Sequence, residues 1–197
     1  MTLKRLFDLS LAIVLLLFLG IIILLTIILA SIDTKSFGLF TQKRIGQYGK
    51  SFTIFKIKTL SDTTKSSTTI GRFLRSTKLD ELPQLLNILN GTMSFVGPRP
   101  DISGYADTLK DTDKIILTIR PGVTGLASLK YRNEEHILAQ QENPLHYNDT
   151  IIWPDKVKIN KWYAENRTQA MDIKIVWHTI FPLDFNVANF IKDQNKL

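Results

Sequence analysis

The chain has 197 residues, of which 22% are charged and 44% hydrophobic, so it can bury a globular core. It contains no cysteine, which excludes disulfides, thiolate catalysis and cysteine-ligated zinc or iron–sulfur sites. The formal net charge of +7 indicates anionic partners: nucleic acid, an anionic membrane surface or phosphate-bearing substrates.

An apolar run near the N-terminus favours the membrane. From Leu9 to Ile32 there is no charged residue over about 24 positions, enough to cross a bilayer core. The run is too long for a cleaved signal peptide, and no convincing small-x-small cleavage site follows it. A core helix that is apolar on all sides at this length rarely fits in so small a protein. We therefore predict a membrane-inserted helix within residues 1–36 and a second domain over residues 37–197.

The charges that flank this run leave its topology open. Lys4 and Arg5 precede it, and several lysines and arginines follow from Lys35 onward. Because both flanks are basic, the positive-inside rule does not assign one flank to each side of the membrane. A single span would leave one basic flank outside, whereas a helix that returns to the same face keeps both inside. Gly20 permits a bend but is weak support for one.

The remaining chain predicts an α+β fold that is mostly helical, with a short β-hairpin. Residues 39–60 alternate between apolar and polar positions on both sides of a glycine-containing turn, which is typical of two short strands. A polar loop over residues 61–70 and a helix over residues 72–90 come next. Trp177 lies in an amphipathic segment that suits a membrane interface or, equally, a protein core. The other predicted elements are a helix over 102–118, a short strand within 119–129, a helix and loop over 133–150, and helices over 154–166 and 168–181.

The head of the predicted helix over residues 72–90 carries two adjacent carboxylates, in "RSTKLDELPQLLNIL". Thr77 suits an N-cap position, and Pro83 is tolerated only near the first turn, so we expect Asp80 and Glu81 in that turn. There the helix dipole favours negative charge, and capping alone explains both residues. The same position also suits a nucleophile at Asp80. A neighbouring carboxylate could hold Mg²⁺ together with substrate phosphates.

Several arginines are candidates for binding phosphate. Arg75 lies a little more than one helical turn before Asp80, Arg99 lies inside "GPRP", Arg120 opens "RPGVTG" and Arg132 follows in "YRN". An arginine held between prolines is arranged in advance for bidentate contact with a phosphate. The alternative interpretation is an ordinary solvated arginine in a loop.

The combination and order of these motifs resemble the bacterial sugar transferases, the small monotopic polyprenyl-phosphate phosphoglycosyl transferases. The resemblance rests on "KRLFDLSLAIVLLLFLG", "FTIFKIKTL", "STKLDELPQLLNILNGTMSFVGPRPD" and "RPGVTGLASL", and it covers nearly the whole chain. It implies transfer of phospho-sugar from a UDP-sugar to undecaprenyl phosphate with release of UMP. Such a reaction is the first membrane step in making a surface glycan, capsule or glycoprotein.

The resemblance also implies roles for individual residues. Asp80 would be the nucleophile that forms a covalent phospho-sugar intermediate, and Glu81 would bind Mg²⁺. The positions implied to bind phosphate or nucleotide are Arg75, Arg99 and Arg120, with Lys58 as a weaker candidate. Pro100 and Arg132 complete the predicted phosphate-binding set. The implied partners are the UDP-sugar, undecaprenyl phosphate and inner-membrane lipid, with no nucleic acid and with a homodimer left open.

The sequence departs from the family pattern in the membrane helix. The family's helix is re-entrant, with both ends in the cytoplasm, and often contains Ser-Pro where this chain has Gly20 and Ile21. Leu126 and Ser128 replace a common Trp and Gln, so the sugar stays undetermined. Two rival functions remain: a membrane-anchored protein that binds nucleic acid or acidic lipid, and a transferase that moves the sugar alone and releases UDP.

Overall fold

The fold is α+β and mostly helical, in a computed structural model that describes residues 3–181 and 185–194. Its described helices and strands, in chain order, are α1 (Leu3–Thr34), β1 (Leu39–Ile45), β2 (Ser51–Ile57), α2 (Thr69–Ser76), α3 (Gln84–Leu89), β3 (Ser94–Val96), β4 (Gly122–Thr124), α4 (Leu126–Lys130), α5 (Glu134–Ala139), α6 (Pro144–Tyr147), α7 (Trp153–Asn166), α8 (Gln169–Ile180) and α9 (Val187–Gln194). The chain divides into two compact units. The first holds α1 to α3, and the second holds the Gln47–Gly49 turn and the chain from Phe95 onward. The predicted division at residue 36 stays a prediction.

A two-stranded hairpin forms the sheet of the first unit and confirms the strands predicted over residues 39–60. The strands are antiparallel, in a register that runs from Leu39 opposite Ile57 to Ile45 opposite Ser51. Two successive residues of the turn, Tyr48 at φ 59° and Gly49 at φ 71°, reverse the chain in the left-handed region.

The helix predicted over residues 72–90 is wrong as a single element. Thr68 starts α2 early, because its hydroxyl accepts a hydrogen bond from the Gly71 N–H at 2.9 Å. The helix then ends at Ser76, and Lys78 adopts the left-handed conformation with φ 61°. A left-handed residue cannot continue a right-handed helix, so the chain restarts in a 3-10 turn over Leu79–Glu81 before α3 begins.

Both ends of α1 contact the rest of the first unit. Near its start, the Arg5 guanidinium donates hydrogen bonds to the carbonyl oxygens of Ile88, at 2.6 Å, and Leu89, at 3.0 Å, at the end of α3. Near its other end, Ala30 is 1% exposed and packs in a core cluster with Ile57 of β2 and Leu74 of α2.

The middle of α1, over residues 13–22, holds no buried side chain. Leu17 and Phe18 are each 77% exposed and Ile21 is 72% exposed. The helix has 32 residues, and its most apolar 18-residue window has a mean hydropathy of 3.4 and is only 11% buried. Among the described helices, α1 is the one long and apolar enough to cross a membrane, and it runs through Gly20 without interruption.

The second unit is built around the short β3–β4 pair and the helices that follow. Its buried apolar side chains include those of Val96, Ile116, Ile119, Leu126, Ile152, Ile159, Tyr163, Met171 and Ile175. The helix predicted over residues 102–118 is wrong. Gly104 at φ 103° and Asp111 at φ 47° interrupt the chain, which forms two 3-10 turns over Ala106–Thr108 and Asp111–Thr118.

The last predicted helices are confirmed as α7 and α8. Thr168 caps α8 by accepting a hydrogen bond from the Met171 N–H at 3.2 Å. The inward face of α8 buries Met171 and Ile175. Its outward face leaves large apolar side chains exposed: Ile173 at 54%, Trp177 at 53% and Ile180 at 63%. The helix therefore packs on the core with one face and keeps an apolar surface on the other.

Candidate active site

Asp80 and Glu81 lie together in the 3-10 turn between α2 and α3, and both are buried. The turn is closed by the Leu82 N–H, which donates to the Leu79 carbonyl at 3.2 Å. Pro83 then leads into α3, where its lack of an N–H costs no hydrogen bond. The prediction that Pro83 holds the two carboxylates near the start of a helix is confirmed, although the first turn they occupy is a 3-10 turn.

The predicted N-cap at Thr77 is wrong, since Thr77 closes the preceding helix. Its hydroxyl donates to the Phe73 carbonyl at 2.8 Å, and its own backbone is helical at φ −89° and ψ −6°. The residue that precedes the turn is Lys78, which makes no side-chain cap. The three-residue turn also has little dipole of its own, so the carboxylates depend on neighbouring side chains for stabilisation.

Lys56 supplies one such side chain. Its ammonium lies 2.9 Å from Oε1 of Glu81, and the two side chains are only 18% and 10% exposed. The sequence pattern did not indicate Lys56 and pointed instead to Lys58, whose ammonium lies 2.6 Å from Oδ2 of the exposed Asp62. Lys56 in β2 and Lys58, one residue after β2, follow the same alternation of apolar and charged residues. Only the packing of β2 on the 3-10 turn separates them.

The charges around Asp80 act in both directions on its pKa. Burial raises the pKa of Asp80 above its ordinary value, and the neighbouring Glu81 raises it further. Lys56, Lys78 and Arg75 oppose this rise. The sequence predicted that a helix dipole would favour the ionised carboxylate, whereas the structure leaves that role to three cations. Arg75 thus lies close enough to act on Asp80, as its sequence position indicated.

One oxygen of Asp80 is left without a partner. Its Oδ1 is buried and makes no hydrogen bond to any residue that the structure describes. A buried acceptor without a partner is uncommon and requires an explanation, such as a bound ion, water or substrate.

The two Pro/Arg segments pack against each other within the second unit. The Gly97 N–H donates to the Thr124 carbonyl at 2.9 Å, and the Gly122 N–H donates to the Pro98 carbonyl at 2.8 Å. A side chain at either glycine would collide with the backbone of the other segment. The structure therefore brings the backbones that carry Arg99 and Arg120 together.

Within these segments the side chains differ in exposure. Arg99 is exposed between Pro98 and Pro100, both of which are buried, and Arg120 is half-buried. Buried prolines fix the backbone on either side of the guanidinium, in keeping with the predicted arrangement for binding phosphate.

Arg132 has a different setting from the other arginines. Its guanidinium donates to the carbonyl oxygens of His178, at 2.8 Å, and Thr179, at 3.0 Å, at the end of α8. A cation at the C-terminus of a helix satisfies carbonyl groups and complements the helix dipole. The structure thus gives Arg132 a structural partner, and its phosphate-binding role stays a prediction.

The carboxylates are compatible with Mg²⁺. No group of three or more His, Asp or Glu side chains that could hold a metal occurs among the described residues. Mg²⁺ in enzymes that act on phosphates is commonly held by one or two carboxylates, with substrate phosphates and water as the other ligands. The unpartnered Oδ1 of Asp80 and the adjacent carboxylate of Glu81 match such an incomplete donor set.

Comparison with known proteins places these residues in a family. The family model for bacterial sugar transferases matches residues 1–184. An uncharacterized sugar transferase, EpsL of Bacillus subtilis, is 36% identical over 190 residues, which cover 91% of this chain and 86% of EpsL.

Two relatives have names that state an activity. The UDP-glucose:undecaprenyl-phosphate glucose-1-phosphate transferase of Klebsiella pneumoniae is 32% identical, over 92% of this chain and 40% of its own length. The undecaprenyl-phosphate galactose phosphotransferase of Salmonella typhimurium is 38% identical, over 57% of this chain and 20% of its own length. The chain therefore spans less than half of these longer relatives. It belongs to the bacterial sugar transferases, and it is a sugar-phosphate transferase.

Proposed function

We propose that the protein transfers phospho-sugar from a UDP-sugar to undecaprenyl phosphate and releases UMP, with Asp80 as the nucleophile. The observation that carries this proposal is the buried carboxylate of Asp80, which has an unpartnered oxygen beside the ion pair of Glu81 and Lys56. The names of the relatives support both the acceptor and the type of group transferred.

In the first step, an Asp80 carboxylate oxygen attacks the phosphorus atom bonded to the sugar. The bond between that phosphorus and the bridging oxygen breaks, and UMP leaves with the electron pair. Lys56, Lys78 and Arg75 favour the ionised form of Asp80 needed for attack, since each lowers the pKa that burial raises. The product is an aspartyl phospho-sugar.

In the second step, a phosphate oxygen of undecaprenyl phosphate attacks the same phosphorus. The bond to Asp80 breaks, the carboxylate is restored, and undecaprenyl diphospho-sugar is formed. Glu81 would hold Mg²⁺ together with the substrate phosphates, and the bound ion would screen the negative charge of the diphosphate. Arg99 and Arg120 would bind the nucleotide phosphates from their rigid loops. Two steps at one nucleophile allow a small site to serve a soluble donor and a lipid acceptor in turn.

The contacts of α1 support a membrane anchor with both ends on one side. A straight helix would place Arg5 and Ala30 about 37 Å apart. Both residues contact the rest of the first unit, for which a diameter of about 26 Å is expected from its size. A straight helix in contact at both ends would lie along that body, but no side chain over residues 13–22 of α1 is buried. The hydroxyl of Thr26 donates to the Ile22 and Ile23 carbonyls, each at 2.9 Å, and such bonds often bend helices.

This geometry suits a helix that enters the cytoplasmic face of the inner membrane and returns to it. The exposed apolar face of α8, with Trp177, would lie in the same interface. Soluble UDP-sugar and membrane-held acceptor could then reach Asp80 without either crossing the bilayer.

The test is a UMP-release assay on the full chain in nanodiscs that contain undecaprenyl phosphate, with a panel of UDP-sugars and Mg²⁺. We expect UMP release with at least one donor, and covalent labelling by that radiolabelled donor when the acceptor is omitted. Asp80→Asn should abolish both signals. Asp107→Asn, at an exposed carboxylate of the second unit, should retain them. Release of UDP without a labelled enzyme would indicate transfer of the sugar alone and overturn the proposal.

A further inference from the structure

A second polar group near Asp80 also lacks a partner. The side chain of Gln84 is 1% exposed, and its Nε2 makes no hydrogen bond to any residue that the structure describes. Buried side-chain amides are nearly always hydrogen-bonded, because removing such a donor from water without a replacement bond is costly. Either the Gln84 amide stays unsatisfied at a cost to stability, or its hydrogen-bond partner is a molecule that binds to the protein.

The contrast with Asn87, three residues later on the same helix, favours the second explanation. Asn87 is 0% exposed, and its side-chain amide is bonded on both sides. Its Oδ1 accepts from the Phe55 N–H at 3.1 Å, and its Nδ2 donates to the Thr53 carbonyl at 2.7 Å. The fold thus satisfies one buried amide on this face of α3 completely and leaves the other open.

Gln84 lies one turn from Asp80 along a continuous right-handed helical path. Leu82 and Pro83, which join the 3-10 turn to α3, have helical backbone angles of φ −54° and ψ −36°, and φ −61° and ψ −15°. The Leu82 N–H donates to the Leu79 carbonyl and the Leu85 N–H to the Leu82 carbonyl, so this path is bonded between residues three apart and rises about 2 Å per residue. Over four residues the rise is about 8 Å, so the unpartnered Oδ1 of Asp80 and Nε2 of Gln84 belong to successive turns, within reach of one phosphorylated ligand.

We infer that Gln84 is a substrate-contacting residue whose amide donates a hydrogen bond to a phosphoryl oxygen of the group attacked by Asp80. A phosphoryl group satisfies both open atoms, because its phosphorus accepts the carboxylate oxygen and its anionic oxygens accept the amide N–H. A carboxamide aimed at an oxygen that gains charge in the transition state is a known means of electrostatic stabilisation. This inference rests on the proposed function.

The test uses the opposite effects that a binding role and a structural role predict for an apolar replacement. Gln84→Met keeps the size of the side chain and removes the unsatisfied donor, so the thermal midpoint in nanodiscs should stay unchanged or rise. UMP release should fall on the order of 10²-fold. Gln84→Glu, which replaces the donor with an anionic oxygen, should lose at least as much activity.

Asn87→Leu is the matched control at a satisfied amide. It leaves the Phe55 N–H and the Thr53 carbonyl without partners, so its thermal midpoint should fall. If Gln84→Met lowers the midpoint as Asn87→Leu does, or retains UMP release within twofold of wild type, the inference is overturned.

Separate measurement of the half-reactions identifies the phosphoryl group. Slower single-turnover UMP release without acceptor, together with slower transfer from the labelled enzyme, indicates the phosphoryl group being transferred. The first result supports the inference. Slower transfer alone indicates the phosphate of the lipid acceptor, which Asp80 does not attack, and overturns the inference. Asp80→Asn in the same assay separates the two ideas: if wild type releases UMP and Asp80→Asn does not, an unaffected Gln84→Met contradicts the role of Gln84 alone.

Discussion

Lys56 and Lys58 lie two residues apart in the sequence, but their ion pairs differ in burial. Lys56→Met would remove the ammonium that pairs with Glu81, whose side chain is only 10% exposed. We expect the free energy of unfolding to fall by about 2–4 kcal/mol, a value discounted for the remaining exposure. Lys58→Met removes a pair whose partner, Asp62, is 58% exposed, and should cost less than about 1 kcal/mol. Denaturant unfolding in detergent compares the two.

A double variant checks the cause. Lys56→Met combined with Glu81→Gln removes both charges, so most of the lost stability should return while UMP release stays low. Equal stability losses in the two lysine variants, or no recovery in the double variant, would contradict a structural ion pair at the site.

Arg132 and Arg99 should differ in the property they control. The guanidinium of Arg132 bonds to the last carbonyls of α8, so Arg132→Gln should lower stability by about 1 kcal/mol. Arg99 is exposed between buried prolines, so Arg99→Gln should act mainly on UMP release, which should fall at least tenfold. The midpoint and initial rate of each variant give the comparison. A large loss of activity at normal stability in Arg132→Gln would favour the predicted phosphate role.

The sequence located Asp80 and Glu81 because their signals are local: a helix start, adjacent carboxylates and Pro83. It missed Lys56 because the partner of that lysine lies 25 residues away. Nothing in the alternation of β2 distinguishes Lys56 from Lys58. Gln84 was missed for a related reason, since an unsatisfied amide is visible only after every neighbour has been placed.

At the scale of elements, the sequence predicted the hairpin, α7 and α8, where periodicity and caps agree. The prediction of one helix over residues 72–90 was wrong, because the apolar pattern continues through this range while the α-helical backbone ends at Ser76 and begins again at Gln84. The break depends on Lys78, whose φ of 61° is left-handed. Residues other than glycine rarely adopt this conformation, and no residue pattern indicated it here. That break sets Asp80 and Glu81 in a turn of their own.

The contact between α4 and α7 predicts a dependence of stability on pH. Burial pushes the pKa of Asp155 upward, but hydrogen bonds from Lys130 at 2.6 Å and Tyr131 at 2.8 Å outweigh it, and the pKa lies below its ordinary value. A lowered folded-state pKa contributes stability above the unfolded value of about 3.9, and this contribution disappears as the pH falls through the folded value. Asp155→Asn should therefore lower the thermal midpoint at pH 7.

The difference between wild type and Asp155→Asn should shrink as the pH falls below about 4. Thermal unfolding in detergent from pH 7 to pH 3 measures it. Glu165→Gln, at an exposed carboxylate on the same helix, is the matched control for the loss of one negative charge. A difference that stays constant over this range would contradict the role assigned to Asp155.

At the scale of the whole molecule, the apolar length of α1 was clear from the residues alone, whereas a return to the same face was implied only by the resemblance to the family. Basic residues on both flanks left both a span and a return open. The contacts of Arg5 with the end of α3 and of Ala30 with Ile57 favour the return, because one body holds both ends. The lysine and arginine flanks would then both lie in the cytoplasm, as the positive-inside rule prefers.

The absence of cysteine from the sequence makes this topology directly testable. Leu3→Cys and Phe37→Cys introduce single thiols at positions that are 69% and 72% exposed, on either side of the apolar run. A membrane-impermeant maleimide should label both in inside-out vesicles and neither in intact spheroplasts. Leu17→Cys, at a 77% exposed position within residues 13–22 of α1, should be labelled only after detergent is added, because lipid would cover it. Labelling of one end in spheroplasts and of the other in inside-out vesicles would show that α1 spans the membrane. It would also contradict the contact of both ends of α1 with the first unit.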